Sequence, residues 1–322
     1  MANRPRCRDA GGTYEVWYVT LTQAESRRGF WLHYTTSNPL PGMGHEPHAA
    51  VWAAAFHRDT PARNRAFKAV HPMSAVRYGE PFEVRIAESA LDLRGCRGEV
   101  DGPEGGMRWD LRWTSHAEPF LIPDLRWLKL VSAANFGAQP ALEVSGTVEV
   151  DGESFVLDRA PGGQQHTWGR RHALEWNWGF ACGLAGRGTY VDGVSTRVKA
   201  PGGVTLGGTA LGVRLGERVV ALNSLPATVR QGASISPAGW DATVRQGRLT
   251  AEVSIRPRRE DLLGVTYADP GGGTRVCYHT EVADLEVALI EAGREVASAR
   301  LEGAAAFEYA SDRALPGLPP VL

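Results

Sequence analysis

Cysteine is scarce in this chain of 322 residues, and Cys7, Cys96, Cys182 and Cys277 stand far apart with no CxxC pair among them. Such spacing offers neither the framework of a disulfide-stapled domain nor the paired thiols of a zinc ribbon. An excess of one charge is lacking too. Lysine and arginine total 35 against 36 aspartates and glutamates, a formal net charge of −1, which withholds the basic footprint that a nucleic-acid partner requires. The local cluster Arg256, Arg258 and Arg259 runs straight into Glu260 and Asp261 and reads as a solvated turn. Long apolar runs are missing. The longest, Ala49 to Phe56, is far too short to cross a bilayer, so no transmembrane segment is expected. Met1 to Gly12 is polar and arginine-rich, without the apolar stretch of a signal peptide, and a soluble cytoplasmic protein is the expectation. Catalytic signatures are absent as well. There is no HExxH and no GxSxG, and Gly202-Gly203 and Gly271–Gly273 lack the phosphate-cradling patterns, so neither a metal nor a nucleotide is expected.

What is present is period-two alternation. Met107, Trp109, Leu111 and Trp113 alternate with Arg108, Asp110 and Arg112, and Leu249, Ala251, Val253 and Ile255 alternate with polar neighbours. Successive strand side chains point to opposite faces, so each segment should bury one face and wet the other. Asp151-Gly152 supplies the positive φ angles of a tight hairpin and should pair Glu149–Val150 with Ser154–Val156. Leu285–Ile290 and Glu295–Leu301, joined through Gly293, read as another hairpin. Helical signals are few; Pro119 and Pro123 interrupt the segment Ser115–Ser132. Glycine and proline punctuate the chain at Asn38–Gly44, Gly102–Gly106, Pro161–Gly163, Pro201–Gly203 and Asp269–Gly273, at intervals suited to many short strands. The pattern is that of an all-β protein, sandwich or barrel. Its length allows two domains, with the boundary expected at Pro161-Gly162-Gly163, giving residues 1–160 and 161–322.

The densest stretch is GGQQHTWGRRHALEWNWGFAC, Gly162 to Cys182, with three tryptophans, two histidines and two arginines. Read as a strand from Ala173, its even face holds Leu174, Trp176, Trp178, Phe180 and Cys182, and its odd face holds Ala173, Glu175, Asn177, Gly179 and Ala181. Two arrangements are open. The tryptophans fill a core while Glu175 and Asn177 face water, or the small residues leave a cavity that Glu175 and Asn177 anchor. The series Gln164, Gln165, His166, Arg170, Arg171 and His172 favours a functional segment, since so many polar groups would be costly to bury without partners.

The elements GFWLHYT (Gly29–Thr35), HAAVWAAAFHR (His48–Arg58), QQHTWGRRHALEWNWGFAC (Gln164–Cys182) and RVCYHTEVADLEV (Arg275–Val287) resemble the lipocalin-like (calycin) superfamily of acyclic carotenoid hydratases, tocopherol cyclases and lipocalin-type Diels–Alderases. The resemblance spans most of the chain in order, and its specific part is His-x-Trp-Gly with Trp-x-Trp. It implies two consecutive lipocalin-like antiparallel β-barrels with a ligand cavity in or between them. It also implies action on polyenes or prenylated rings by hydration, cyclisation or pericyclic closure, with no metal or organic cofactor.

Such chemistry needs a positioned acid, a shielded cavity and stabilisation of developing positive charge. Glu175 is the candidate acid, since a carboxyl desolvated beside tryptophans holds its proton more tightly. His166 or His172 would orient it or relay a proton, and Trp168, Trp176 and Trp178 would face a carbocation with their π systems. Trp31, Tyr34, Trp52, Gln164, Arg170 and Asn177 complete the expected ligand-binding set. Each choice has a structural alternative: Glu175 paired with Arg170 or Arg171, the histidines bonded to carbonyls, the tryptophans packed as core, Cys182 an inert packed thiol. The expected partner is an apolar small molecule, used by a cyclase, hydratase or isomerase, or held unchanged by a carrier. The oligomeric state is left open.

Overall fold

The computed structural model describes residues 2–8, 10–103, 105–122, 133–199 and 201–322. The first half supplies β1 (Thr13–Gln23), β2 (Arg28–Asn38), β3 (His48–His57), β4 (Arg65–Pro72), β5 (Val76–Gly79) and β6 (Glu83–Ile86). It continues with β7 (Ser89–Asp92), β8 (Gly95–Gly102), β9 (Gly105–Ser115), β10 (Phe120–Leu121), β11 (Ala133–Val150) and β12 (Glu153–Gly169). These strands form one antiparallel sheet in the order β4-β3-β2-β1-β12-β11-β9-β8-β7-β6-β5, with β10 alongside β11. The sheet curls until β4 touches β8 and encloses a core that includes Trp17, Leu32, Val51, Leu111 and Val144.

The second half supplies β13 (Glu175–Cys182), β14 (Tyr190–Lys199), β15 (Thr205–Leu215), β16 (Arg218–Leu222) and the short helix α1 (Leu225–Gln231). Then come β17 (Trp240–Gln246), β18 (Leu249–Arg256), β19 (Leu263–Ala268), β20 (Thr274–Glu291) and β21 (Arg294–Ser311). Their order is β16-β15-β14-β13-β21-β20-β18-β17, with β19 on β20. The two ends meet, and the Ala221 N–H donates to Gln246 Oε1 across the gap at 3.0 Å. Trp240, Val253, Leu285 and Phe307 fill this second core. The protein is therefore all-β, two consecutive lipocalin-like antiparallel barrels.

The expected hairpins form. Val150 faces Glu153 across Asp151 (φ 52°) and Gly152 (φ 81°), and Glu291 faces Arg294 across Ala292 (φ 50°) and Gly293 (φ 80°). Positive φ at both central residues is the turn that matches the twist of the flanking strands. In β9 the odd residues from Met107 to Trp113 are buried and their even neighbours exposed. Of Ser115–Ser132, the part before 123 ends β9 and forms β10, and the remainder lies outside the described residues.

Pro161-Gly162-Gly163, the expected boundary, lies inside β12, and the chain passes from the first sheet to the second between Gly169 and Glu175. The glycines serve close packing. A Cβ on Gly163 would stand 2.3 Å from the Phe180 ring and one on Gly162 would stand 2.7 Å from Leu21 Cδ2, so only glycine lets β13 and β1 approach β12 there. The β1 ladder ends at Leu21↔Gly162, so on that side the missing N–H of Pro161 breaks no pairing.

The barrels pack outer face to outer face. β1, β2 and β3 turn one set of side chains into the first core and send the other, including Tyr18, Trp31 and Phe56, against Trp178, Phe180, Cys277 and Val282 of the second barrel. Buried Arg58 fastens the seam, donating to Val282 O and Asp284 Oδ2 at 2.8 Å each, while Arg258 bonds both Arg58 O and the Asp261 carboxylate.

Candidate active site

The seam opens into a cavity of about 490 Å³ lined from both barrels. The size suits a drug-sized ligand. Tyr18, His33, Trp52 and Lys68 line it from the first barrel; Trp176, Trp178, Tyr267 and Glu308 line it from the second. Strand alternation explains the division. On β13 the even residues Trp176 and Trp178 face the seam, while Gly179 and Ala181 turn into the second barrel against Trp240, Ile255 and its core.

Glu308 on β21 brings a carboxylate to this cavity. Its Oε2 accepts from Trp176 Nε1–H at 3.0 Å and its Oε1 bonds His279 Nδ1 at 3.1 Å. The other ring nitrogen of His279 bonds Glu281 Oε1 at 2.8 Å, and Glu281 Oε2 accepts the Thr20 hydroxyl from the first barrel. Gly29 makes that reach possible, since a Cβ there would stand 2.1 Å from Glu281 Cβ. His279 is wholly buried, with Trp31 stacked 4.6 Å from its ring. Burial alone would lower its pKa, but the hydrogen bonds and charges of Glu281 and Glu308 push it up to about 9. Burial raises Glu281, against the pull of His279 and Thr20. The result is a proton-holding chain, Glu281–His279–Glu308, ending at the cavity wall.

A second acid–base pair lies along the same wall. His172 stacks on Tyr14 at 4.2 Å and bonds Asp269 Oδ1 through Nδ1 at 2.6 Å, while its backbone N–H donates to the same oxygen at 2.8 Å. Burial would raise Asp269, but its bonds to His172 and the nearby Arg275 guanidinium hold it below the usual carboxylate range. Behind the cavity, Asp192 accepts from Trp178 Nε1–H at 3.1 Å and Gln165 Nε2–H at 3.0 Å. Burial pushes it up to about 6 against those bonds.

Of the residues expected from sequence, His172, Trp52, Trp176 and Trp178 line the cavity. Trp31 is in the seam, against His279. The others stand elsewhere. Glu175 is 34% exposed and binds Arg197 Nη1 at 2.6 Å, so its carboxylate is not desolvated among tryptophans. Asn177 points into the second barrel, donating to Ser236 O and Glu308 O at 3.0 Å and accepting from Ser236 N at 2.8 Å. His166 is buried in the first barrel between Glu15 Oε1 and Ala2 O, each at 2.8 Å, with Trp168 beside its ring. Gln164 accepts from Asn3 there at 2.6 Å. Tyr34 belongs to the same core, its hydroxyl accepting from Trp109 Nε1–H and reaching Ala90 O and Arg97 O. Arg170 is exposed, outside the cavity lining. The even–odd split on β12 explains the histidine and tryptophan: Gln164, His166 and Trp168 face inward, whereas Gln165 and Thr167 face the seam. Cys182 is a packed thiol, donating to Gly162 O at 3.0 Å, its pKa pushed by burial to about 12.

Four buried polar residues at or behind the cavity wall, Glu308, His279, Glu281 and His33, were not among those expected from sequence. The usable signal was a polar residue inside an otherwise apolar strand, as in AAAFEYA (Ala304–Ala310) and GFWLHYT.

No protein-family profile matches the chain. Two uncharacterised proteins of Mycobacterium tuberculosis, from strains CDC 1551/Oshkosh and ATCC 25618/H37Rv, are each 27% identical over 291 residues, covering 88% of this chain and 84% of theirs. Among solved structures, a candidate AttH from Nitrosomonas europaea aligns with a TM-score of 0.55 at 14% identity, over 92% of each chain. Kievitone hydratase from Nectria haematococca aligns with a TM-score of 0.53 at 12% identity, over 96% of this chain and 90% of its own. At such identities the likeness establishes the fold, a two-barrel architecture of lipocalin-like type. Among the described residues no helix is long and apolar enough to cross a membrane.

Proposed function

We propose that this protein is a hydratase-, cyclase- or isomerase-type enzyme acting on a largely apolar, unsaturated small molecule held between its barrels. The observation that carries the reading is Glu308, a carboxylate on an aromatic-walled cavity whose far oxygen is tied to the buried Glu281–His279 pair. The proton held on His279 passes through the Glu308 carboxylate to the substrate double bond. The cationic carbon so formed lies against Trp176 and Trp178, whose π faces lower its energy. Water, or a hydroxyl of the substrate itself, then adds to that carbon and returns its proton to Glu308. Each step uses a proton, a π face or water, and none requires a metal or organic cofactor. The likeness in fold to a hydratase agrees with this reading.

The test is turnover in deuterated water with a panel of conjugated lipophilic compounds, followed by mass spectrometry. Hydration yields a product one water heavier, cyclisation an isomer, and both carry deuterium at the protonated carbon. Glu308→Gln should lower turnover by about 10²–10⁴-fold, the usual reach of general acid–base catalysis, while ligand affinity changes little. Compounds that bind tightly and return unchanged and undeuterated from the unaltered protein would make it a carrier instead.

A further inference from the structure

The two walls of the cavity differ in what they leave unmet. On the second-barrel wall the polar atoms are engaged: both tryptophan N–H groups donate to carboxylates, Glu308 is held at both oxygens, and His172 is bound to Asp269. The first-barrel wall is the reverse. Tyr18, His33, Trp52 and Lys68 are directly opposed residues on β1, β2, β3 and β4, a single row across four strands. Residues so paired share one face and stand about 5 Å apart. His33 and Trp52 are each only 4% exposed, yet neither ring nitrogen of His33 nor Trp52 Nε1 has a hydrogen-bond partner among the described residues. Nor does the buried Ser37 hydroxyl on the same wall. Beside them the Lys68 ammonium sits 4.0 Å from the Trp52 ring centre, with no carboxylate in ion-pair contact among the described residues.

Buried donors without acceptors are uncommon in folded proteins and call for a partner. A cation beside them favours an ionised one. We propose, on the footing that the inter-barrel cavity is the ligand site, that the substrate carries an acidic oxygen, carboxylate or phenolate, bound by the Lys68–Trp52–His33 row. Glu308 repels such a head from its own end, so the head lies toward the β4 edge and the unsaturated body crosses Trp176 and Trp178 toward the proton chain. Arg171, exposed at the cavity rim without an ion-pair partner among the described residues, adds a second positive charge. Burial lowers the Lys68 pKa, and a bound anion would reverse that effect.

Fluorescence titration with two matched pairs tests this: parinaric acid against its methyl ester, and 7-hydroxycoumarin against 7-methoxycoumarin, at a pH where both acids are ionised. In the unaltered protein the acid of one pair should bind at least about tenfold tighter than its neutral partner, the low end for a charge-assisted hydrogen bond. Which pair shows the gap tells carboxylate from phenolate. Lys68→Met should close the gap and Lys68→Arg should largely restore it. Trp52→Phe, which keeps the ring and removes the N–H, should narrow it. Unchanged affinity for the neutral partner shows that each variant keeps its cavity. Equal affinities within both pairs would overturn the acidic head while leaving the cavity a ligand site. Failure of all four compounds to bind would overturn both readings.

Discussion

His279 makes stability depend on pH between the ordinary imidazole range and about pH 9. Its pKa rises from the ordinary 6.5 of an unfolded imidazole to about 9 in the fold, because Glu281 and Glu308 flank the ring. The folded state binds this proton more tightly than the unfolded state does. The contribution is therefore complete below pH 6.5 and is lost as pH climbs toward 9. At about 1.4 kcal/mol per pH unit, the gap amounts to about 3 kcal/mol. Cys96, Cys182 and Cys277, raised by burial, add to the fall only as unfolded thiols ionise at about pH 8.5 and above, and Glu281, raised by burial beside His279, belongs to the same proton-binding pair. His57, lowered to about 4 mainly by burial, and His33, lowered well below its ordinary value by burial and by His279, change stability only below pH 6.5. Asp192, raised to about 6, has finished by then. Urea unfolding at intervals from pH 6.5 to 9 should show a falling midpoint at constant m-value, and His279→Gln should flatten that fall. Parallel curves for the two proteins across the window would refute the charged imidazole between two carboxylates.

Two further outcomes follow from the geometry. Glu175→Gln should cost no more than about 1 kcal/mol in urea unfolding, since its ion pair with Arg197 is partly exposed, and it should leave turnover intact; lost turnover would return the acid's role to Glu175. Gly29→Ala should destabilise by about 1–3 kcal/mol or more, because its Cβ would fall 2.1 Å from Glu281 Cβ. An unchanged unfolding midpoint would mean that β2 and β20 do not meet there.

The two hairpins, the all-β class and the aromatic character of Gln164–Cys182 were all legible in the sequence, because each is a local matter of turn chemistry or alternation. The exposure of Glu175 was not. Its neighbours Trp176 and Trp178 made it look desolvated, yet in a strand adjacent residues face opposite sides, and the tryptophans that line the cavity turn away from it. The carboxylate that does stand with Trp176 is Glu308, 132 residues distant. No spacing rule joins the two, since β13 and β21 become neighbours only when the second sheet assembles.

Burial on both faces leaves a subtler mark in the sequence. Strands with one wet face alternate, as β9 and β18 do, whereas strands buried on both faces cannot. β3, HAAVWAAAFH, is buried from Ala49 through His57, and β1, β2, β13 and the middle of β20 and β21 are buried almost without a break. The apolar run Ala49 to Phe56 is thus one side barrel core and one side seam. Two-sided burial in an antiparallel protein requires a second layer against the barrel's outer wall, so these strands marked the seam before any contact was known. It follows that a polar residue within them is buried whichever way it points. His33, His279, Glu281 and Glu308 all lie in such strands, on the seam side, and among them are the Glu281–His279–Glu308 proton chain and the cavity-facing His33.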